Sequence, residues 1–396
     1  MADPAADPRL RRFLILYGLA WAGVAIAYLP FLTILLPIRV SDLVGADQGI
    51  DWVAKISFAG ALAASIGHIL FGWLSDISGV RRPWTLAGLL LSSTLLLLVP
   101  RAGGLPALMA IIIAWQLALN MMMAPLAALA GDVVPDDHKG MLGGLMALAP
   151  GTGALAGMVI TWPGLAGPDL RLTLVVAMVA ACVGPVLLLR LPPPADAPVA
   201  VNAPAPAVPA SARRMWLARL AVQIAEAALF AYLYLWFRSV DARMTDNRVA
   251  SLFAIILLAS APLSLLAGRW SDRRGRPFVP LRLLALGAAL GLLVMALAGG
   301  GLTGAVLGFG LFAVTSAGFL ALHSAQTLRV LRRPGRRGRD LGLFNLTNTI
   351  PSLIMPWLTL GVMPQFGFAG LFLVLALLCL AGALILSPRH GWQAQT

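Results

Sequence analysis

From Phe13 to about position 388 the chain is a succession of apolar runs of about 20 residues, parted by short segments rich in Gly, Pro and Arg. About 20 helical residues cross a hydrocarbon layer of ~30 Å, and a backbone in lipid must satisfy its own hydrogen bonds. Hydrophobic residues make up 60% of the chain and charged residues 11%, with a mean hydropathy of +0.88. A water-soluble fold has too little polar surface at that composition to cover itself. The chain therefore reads as an all-α membrane protein. Twelve transmembrane helices are expected near 13–38, 52–73, 84–100, 106–131, 141–163, 171–190, 216–238, 248–268, 281–299, 303–328, 341–363 and 368–388. The first run continues past Pro30 to about Ile38, which predicts a retained helix rather than a cleaved signal peptide.

The net charge of +13 comes almost wholly from arginine, and its placement matters more than its sum. Arg9, Arg11, Arg12, Arg81, Arg82, Lys139, Arg213, Arg214, the 269–276 cluster and the 329–339 cluster all fall on one side of the predicted topology. Arg39, Arg101, Arg171 and Arg243 are scattered on the other. The positive-inside rule makes the crowded side cytoplasmic, with both termini on it, in a cytoplasmic (inner) membrane. A nucleic-acid partner is excluded, because no solvated basic face with interleaved aromatics exists.

The stretch Gly72-Trp-Leu-Ser-Asp76-Ile-Ser-Gly79-Val-Arg81-Arg82-Pro83 returns as Gly268-Arg-Trp-Ser-Asp272-Arg-Arg-Gly275-Arg276-Pro277. Likewise Gly140-Met-Leu-Gly-Gly144-Leu parallels Gly338-Arg-Asp-Leu-Gly342-Leu. The two spacings, 196 and 198 residues, describe one parallel repeat of six-span units. The Ala/Pro-rich stretch after Leu191 is an extended tether. The predicted domains are a tail over 1–12, a six-helix bundle over 13–190, a linker over 191–215, a second bundle over 216–388 and a tail over 389–396.

The paired G-x-x-S-D-x-x-G loops resemble the cytoplasmic signature of the major facilitator superfamily. Gly79-Val-Arg-Arg-Pro-Trp84 and the run from Gly338 to Pro351 are similar to its glycoside/sucrose:cation symporter branch, although the first loop is shorter than in that branch. The resemblance implies twelve helices in two pseudo-symmetric bundles, with helices 1, 4, 7 and 10 lining a central cavity. It also implies a cytoplasmic gate built from Gly72, Asp76, Gly79, Arg81, Arg82, Gly268, Asp272, Gly275 and Arg276. Asp132, ending the fourth span, is expected to pair with Arg81 or Arg82 there.

An ionisable group inside a span is costly and so a functional candidate by default. Glu226 lies near the middle of the seventh span, and Arg219, Gln223, Glu226 and Phe230 share one face of it. Such a carboxyl can carry a proton by moving between apolar and cation-bearing surroundings; a fixed structural pair with Arg219 is the rival reading. His323 in the tenth span, one turn from Gln326, is a second candidate for proton coupling, with a neutral, hydrogen-bonded histidine packed between helices as the rival reading. His68, one turn before Gly72, is read as a hydrogen-bonding support for the gate loop, and Asp51 with Lys55 as a rim pair. Tyr28, Trp115, Gln116, Asn120, Gln223, Gln326, Asn345 and Asn348 are the candidates for contacting a solute, since rings stack on sugar faces and amides serve hydroxyls. The same residues also glue membrane helices together.

Met121, Met122 and Met123 point in different directions from one helix and cannot converge on an ion. Cys182 and Cys379 lack metal-ligand spacing, so no metal and no cofactor are expected. Pro150 followed by Gly151, Gly153 and Gly157 is faintly similar to the Gly-Pro motif of exporters. No Walker loop or nucleophile–base pair occurs, which argues against ATP drive and enzymatic turnover. The expected function is secondary active transport of a small organic solute, a sugar or glycoside for choice, by alternating access and coupled to protons or another cation, in a monomer. A proton-driven exporter and a non-transporting assembly or pigment-delivery factor of the same fold stand as alternatives.

Overall fold

The computed structural model describes residues 8–135, 142, 145–146, 148–189, 210–274, 278–298, 301–330 and 337–387. Every regular element in them is helical: α1 Pro8–Pro30, α2 Leu36–Ser78, α3 Arg82–Leu98, α4 Leu105–Val133, α5 Ala149–Ile160, α6 Pro168–Leu188, α7 Ala210–Val240, α8 Asp246–Arg274, α9 Phe278–Leu297, α10 Leu302–Val330 and α11 Arg337–Ile385. Among the described residues nine helical segments are long and apolar enough to cross a membrane, and α5 is a shorter apolar helix. The linker over 191–209, Lys139, Gly140, Gly144, Gly275 and Arg276 lie outside the described residues, as do the side chains of Gly268, Asp272, Gln326, Asn345 and Asn348.

Helices start and stop where backbone chemistry dictates. Pro83 and Pro106 occupy the first turns of α3 and α4, where no N–H is needed. Gly79 closes α2 in the left-handed region (φ 67°), donating its N–H to the Asp76 carbonyl. Gly45 (φ 79°) and Gly367 (φ 59°) break α2 and α11 into two pieces each, so that the predicted short hairpins at these places are single-glycine reversals. The helices also outrun the apolar runs: α1 begins at Pro8 and α7 at Ala210, because a helix need not end where the lipid does.

Between Pro30 and Leu36 the first helix widens into a π turn, Phe31–Leu35, whose closing bond runs from the Leu36 N–H to the Phe31 carbonyl. Pro30 and Pro37 bracket it, and each lacks an N–H and crowds the carbonyl four residues back. The Thr33 hydroxyl within it is fully buried and has no hydrogen-bond partner among the described residues.

The chain divides into two compact units, Met1–Ala197 with Thr245–Ala254, and Pro198–Met244 with Ile255–Thr396. In the first, α1 packs on α5 and α6, α2 on α4, and α3 on α4 and α6. A Cβ added to Gly88 would sit 2.3 Å from the Met122 backbone nitrogen, and one on Gly153 would sit 2.9 Å from the Ala25 carbonyl oxygen. Such near contact between helix backbones replaces the hydrophobic drive that lipid does not supply. In the second unit, α7 packs on α11 and α10, and α9 on α10 and α11. Phe237 meets Phe309 edge-on and Trp236 meets Phe372 edge-on, with ring centroids 5.7 and 4.9 Å apart.

Candidate functional site

In the second unit, polar groups gather where α7 faces α10. Arg219 and Gln223 are one turn apart on α7, and Nε of Arg219 donates to Oε1 of Gln223 at 3.2 Å. Nη1 of Arg219 lies 3.4 Å from Nδ1 of His323, whose Nε2 lies 2.9 Å from the Met215 carbonyl. Phe319 covers the imidazole, with centroids 5.6 Å apart. Glu226 is half-buried on the same face of α7, two turns from Arg219. The Arg219 guanidinium is thus directed to Gln223 and His323. Holding opposite charges two turns apart on a spanning helix is costly in desolvation.

The first unit's polar candidates are used differently. Asn120 accepts a hydrogen bond from Nδ1 of His68 at 3.2 Å and donates to the Gln116 carbonyl at 2.9 Å. A Cβ on Gly67 would meet the Asn120 Cβ at 3.2 Å, and one on Gly60 would meet the Gln116 side chain at 3.5 Å. Gln116, Asn120 and His68 therefore lie in the α2–α4 seam and join those helices. Trp115 is fully buried with its ring edge-on to Phe31 at 4.9 Å. Tyr28 is half-buried on α1.

The loop after α2 forms a compact charged knot. Arg81 donates from Nε to Asp132 at 3.0 Å, from Nη1 to the Ser75 hydroxyl at 2.8 Å, and also to Asp76. Buried Ser75 donates in turn to the Gly72 carbonyl at 2.8 Å. Burial works against the Arg81 charge, but the hydrogen bonds and attraction of Asp132 and Asp76 outweigh it and raise its pKa. Arg82 reaches the Leu189 carbonyl at the end of α6. The Trp84 indole donates to Ser78 at 2.9 Å. A Cβ on Gly72 would meet only Ala124, at 3.9 Å, so in this motif Gly79 answers a backbone need and Gly72 does not. Asp51 and Lys55 pair at 3.9 Å, with the ammonium over Trp52.

Two sets of contacts in the first unit had no sequence signal. Arg171 pairs with Asp246, and the Asn247 amide donates to the Met158 carbonyl at 2.9 Å and the Thr161 hydroxyl at 3.3 Å. Arg39 donates to the carbonyls of Pro100 and Ala102, at 3.0 and 2.9 Å, completing the end of α3. Among the described residues no group of three His, Cys, Asp or Glu side chains is placed to hold a metal.

Long apolar helices in two compact units, with an Arg-bound turn between two of them, define a polytopic membrane protein. The Major Facilitator Superfamily profile matches residues 13–327 and 215–391, and the chain belongs to that family. No curated protein matches the chain in sequence. Among solved structures it is similar to a bacterial homologue of the human lysosomal transporter Spinster, inward-facing and unoccupied, at 14% identity and TM-score 0.68, over 96% of this chain and 95% of that one. The human organic anion transporter MFSD10 (TETRAN) gives 16% identity and TM-score 0.67 over 96% and 100%. A bacterial homologue of the iron transporter ferroportin, inward-facing, gives 17% and 0.63 over 95% and 98%. At these identities the likeness establishes the fold, a multi-pass major facilitator fold.

Proposed function

We propose that the chain is a secondary active transporter that carries a small organic solute across the cytoplasmic membrane by alternating access, coupled to protons through Glu226. The observation that carries this reading is the placement of Arg219, Gln223 and Glu226 on one face of the spanning helix α7, with Arg219 donating to Gln223 and lying 3.4 Å from His323 of α10. A carboxylate there balances the guanidinium; once protonated it leaves that cation uncompensated in a poorly solvated place, so proton binding changes what else the site favours. The Arg-rich loops put both termini on the cytoplasmic side. The knot of Asp76, Arg81 and Asp132 on that side is a set of charge-assisted contacts that can differ between states, with Gly268, Asp272, Gly275 and Arg276 as its counterpart in the repeat.

A sugar or glycoside rested on rings and amides, yet Trp115 and Asn120 are taken up by Phe31, His68 and the α4 backbone. Arg219 favours a second substrate reading, a solute with an anionic group, because guanidinium binds oxyanions more strongly than it binds neutral acceptors. Gln223 is the neighbouring group for its polar part. Export in place of import, and a role in assembly or pigment delivery, are decided by the same tests. A thermal-shift screen of purified protein with sugars, organic acids and drugs at two pH values comes first. Ligand-driven flux in proteoliposomes should then follow an imposed pH gradient in the unaltered chain and ignore it in Glu226→Gln. Full gradient dependence in that variant removes Glu226 from the mechanism, and a complete absence of ligand shifts favours the assembly role.

A further inference from the structure

His323 is fully buried, and both of its ring nitrogens have assigned neighbours. The Met215 carbonyl can only accept, so Nε2, 2.9 Å away, carries a hydrogen and donates. Arg219 can only donate, so Nδ1, 3.4 Å from its Nη1, is a lone pair that accepts. A neutral imidazole has one N–H and one lone pair, and here each meets its complement. A second proton on Nδ1 would point an N–H at a guanidinium and put two cations side by side in a buried place. Among the described residues α10 packs mainly on α7 and α9; α7 carries Arg219 and Glu226 on the face that meets His323, and α9 carries Arg282. Gln223 holds the guanidinium from a second direction at 3.2 Å. Gln223 and His323 are neutral acceptors, so these two contacts orient the cation without cancelling its charge.

We infer that His323 is a positioning residue: it remains the neutral Nε2–H imidazole and aims Arg219 along the Glu226 face of α7, and it is not itself the proton carrier. This rests on the reading of Glu226 as the proton site. It assigns the two ionisable candidates opposite parts, one that titrates and one that must not. It also gives Met215, at the start of the face, the task of fixing the tautomer through its carbonyl.

The first test is the ¹⁵N ring spectrum of histidine-labelled full-length protein in nanodiscs, with the His323 signals assigned by their loss in His323→Asn. Nδ1 should be unprotonated and Nε2 protonated from about pH 5 to about pH 8. An Nδ1–H tautomer or a doubly protonated ring in that range overturns the inference. The second test follows the Glu226 carboxyl by infrared titration, its band identified by Glu226→Gln. His323→Ala should move the midpoint by about 0.5 pH unit or more. His323→Asn, whose side-chain oxygen overlies Nδ1 but cannot titrate, should return it to within about 0.3 pH unit of the unaltered protein. A midpoint that asparagine fails to restore, or that alanine leaves in place, overturns the inference alone. A Glu226 band that stays fixed from about pH 4 to about pH 10 removes the proton site, and the inference falls with it.

Discussion

Nε of Arg81 and Oδ2 of Asp132 lie 3.0 Å apart, which ties the turn after α2 to the last turn of α4. The Arg81 side chain is 18% exposed, against 49% for Asp132 and 64% for Asp76. With carboxylates that wet, each pair taken alone contributes about 1 kcal/mol or less. One guanidinium serving Asp132, Asp76 and Ser75 should do better than a single pair. Arg81→Ala is expected to lower the unfolding free energy by roughly 1–2 kcal/mol, and Arg81→Lys to recover less than half, because an ammonium lacks the fork. Denaturant unfolding in detergent, followed by tryptophan emission, reads both.

The same contacts fix a pH response. The folded-state pKa of Arg81 is raised, so its contribution is fully present below the unfolded pKa and lost only as pH climbs through the folded one. Both lie above the ordinary working range of a protein. The stability difference between the unaltered chain and Arg81→Ala should therefore be the same at about pH 7 and about pH 10. A difference that shrinks on the alkaline side contradicts the assignment.

Arg219 and Glu226 should behave as one unit. Removing either charge leaves the other uncompensated, whereas removing both leaves nothing to balance. Arg219→Gln and Glu226→Gln are each expected to destabilise, and the double variant to be more stable than the sum predicts by about 0.5–3 kcal/mol. Strict additivity across the four proteins would mean that the two charges do not act on one another.

Three glycines make a graded series. Gly88→Ala drives a methyl into the Met122 backbone and should cost about 1–3 kcal/mol. Gly79→Ala meets no neighbour but must hold a left-handed φ of 67°, for about 1 kcal/mol. Gly72→Ala has room and should lie within about 0.5 kcal/mol of the unaltered chain. Parallel thermal and chemical denaturation of the three variants checks the order.

Hydropathy exposed the helices because lipid imposes length and apolarity directly on the sequence. The shared face of Arg219, Gln223 and Glu226 was legible for a similar reason, since it depends only on helical spacing. Partners from distant parts of the chain were not. Arg171 and Asp246 stand 75 residues apart and look like ordinary loop charges until the fold brings them together. His68 and Asn120 are separated by 52 residues, and only geometry reveals that the amide is engaged in the α2–α4 seam. The tautomer of His323 depends on a backbone carbonyl 108 residues away, which no side-chain pattern encodes. The π turn between Pro30 and Pro37 was likewise not legible in the apolar run, and only the structure gives its form.

That form acts as a phase shift. A turn closed by a five-residue bond holds one residue more than its α-helical equivalent, so every side chain beyond Leu35 is rotated by about 100° from where an unbroken helix would put it. Arg39 meets the carbonyls of Pro100 and Ala102 in that shifted frame. Closing that turn as ordinary α-helix at the same length would carry Arg39 away from the end of α3, whereas deleting Thr33 would remove the extra residue and leave Arg39 in its present frame. The wide turn thus sets the angular register of the segment from Leu36 to the break at Gly45.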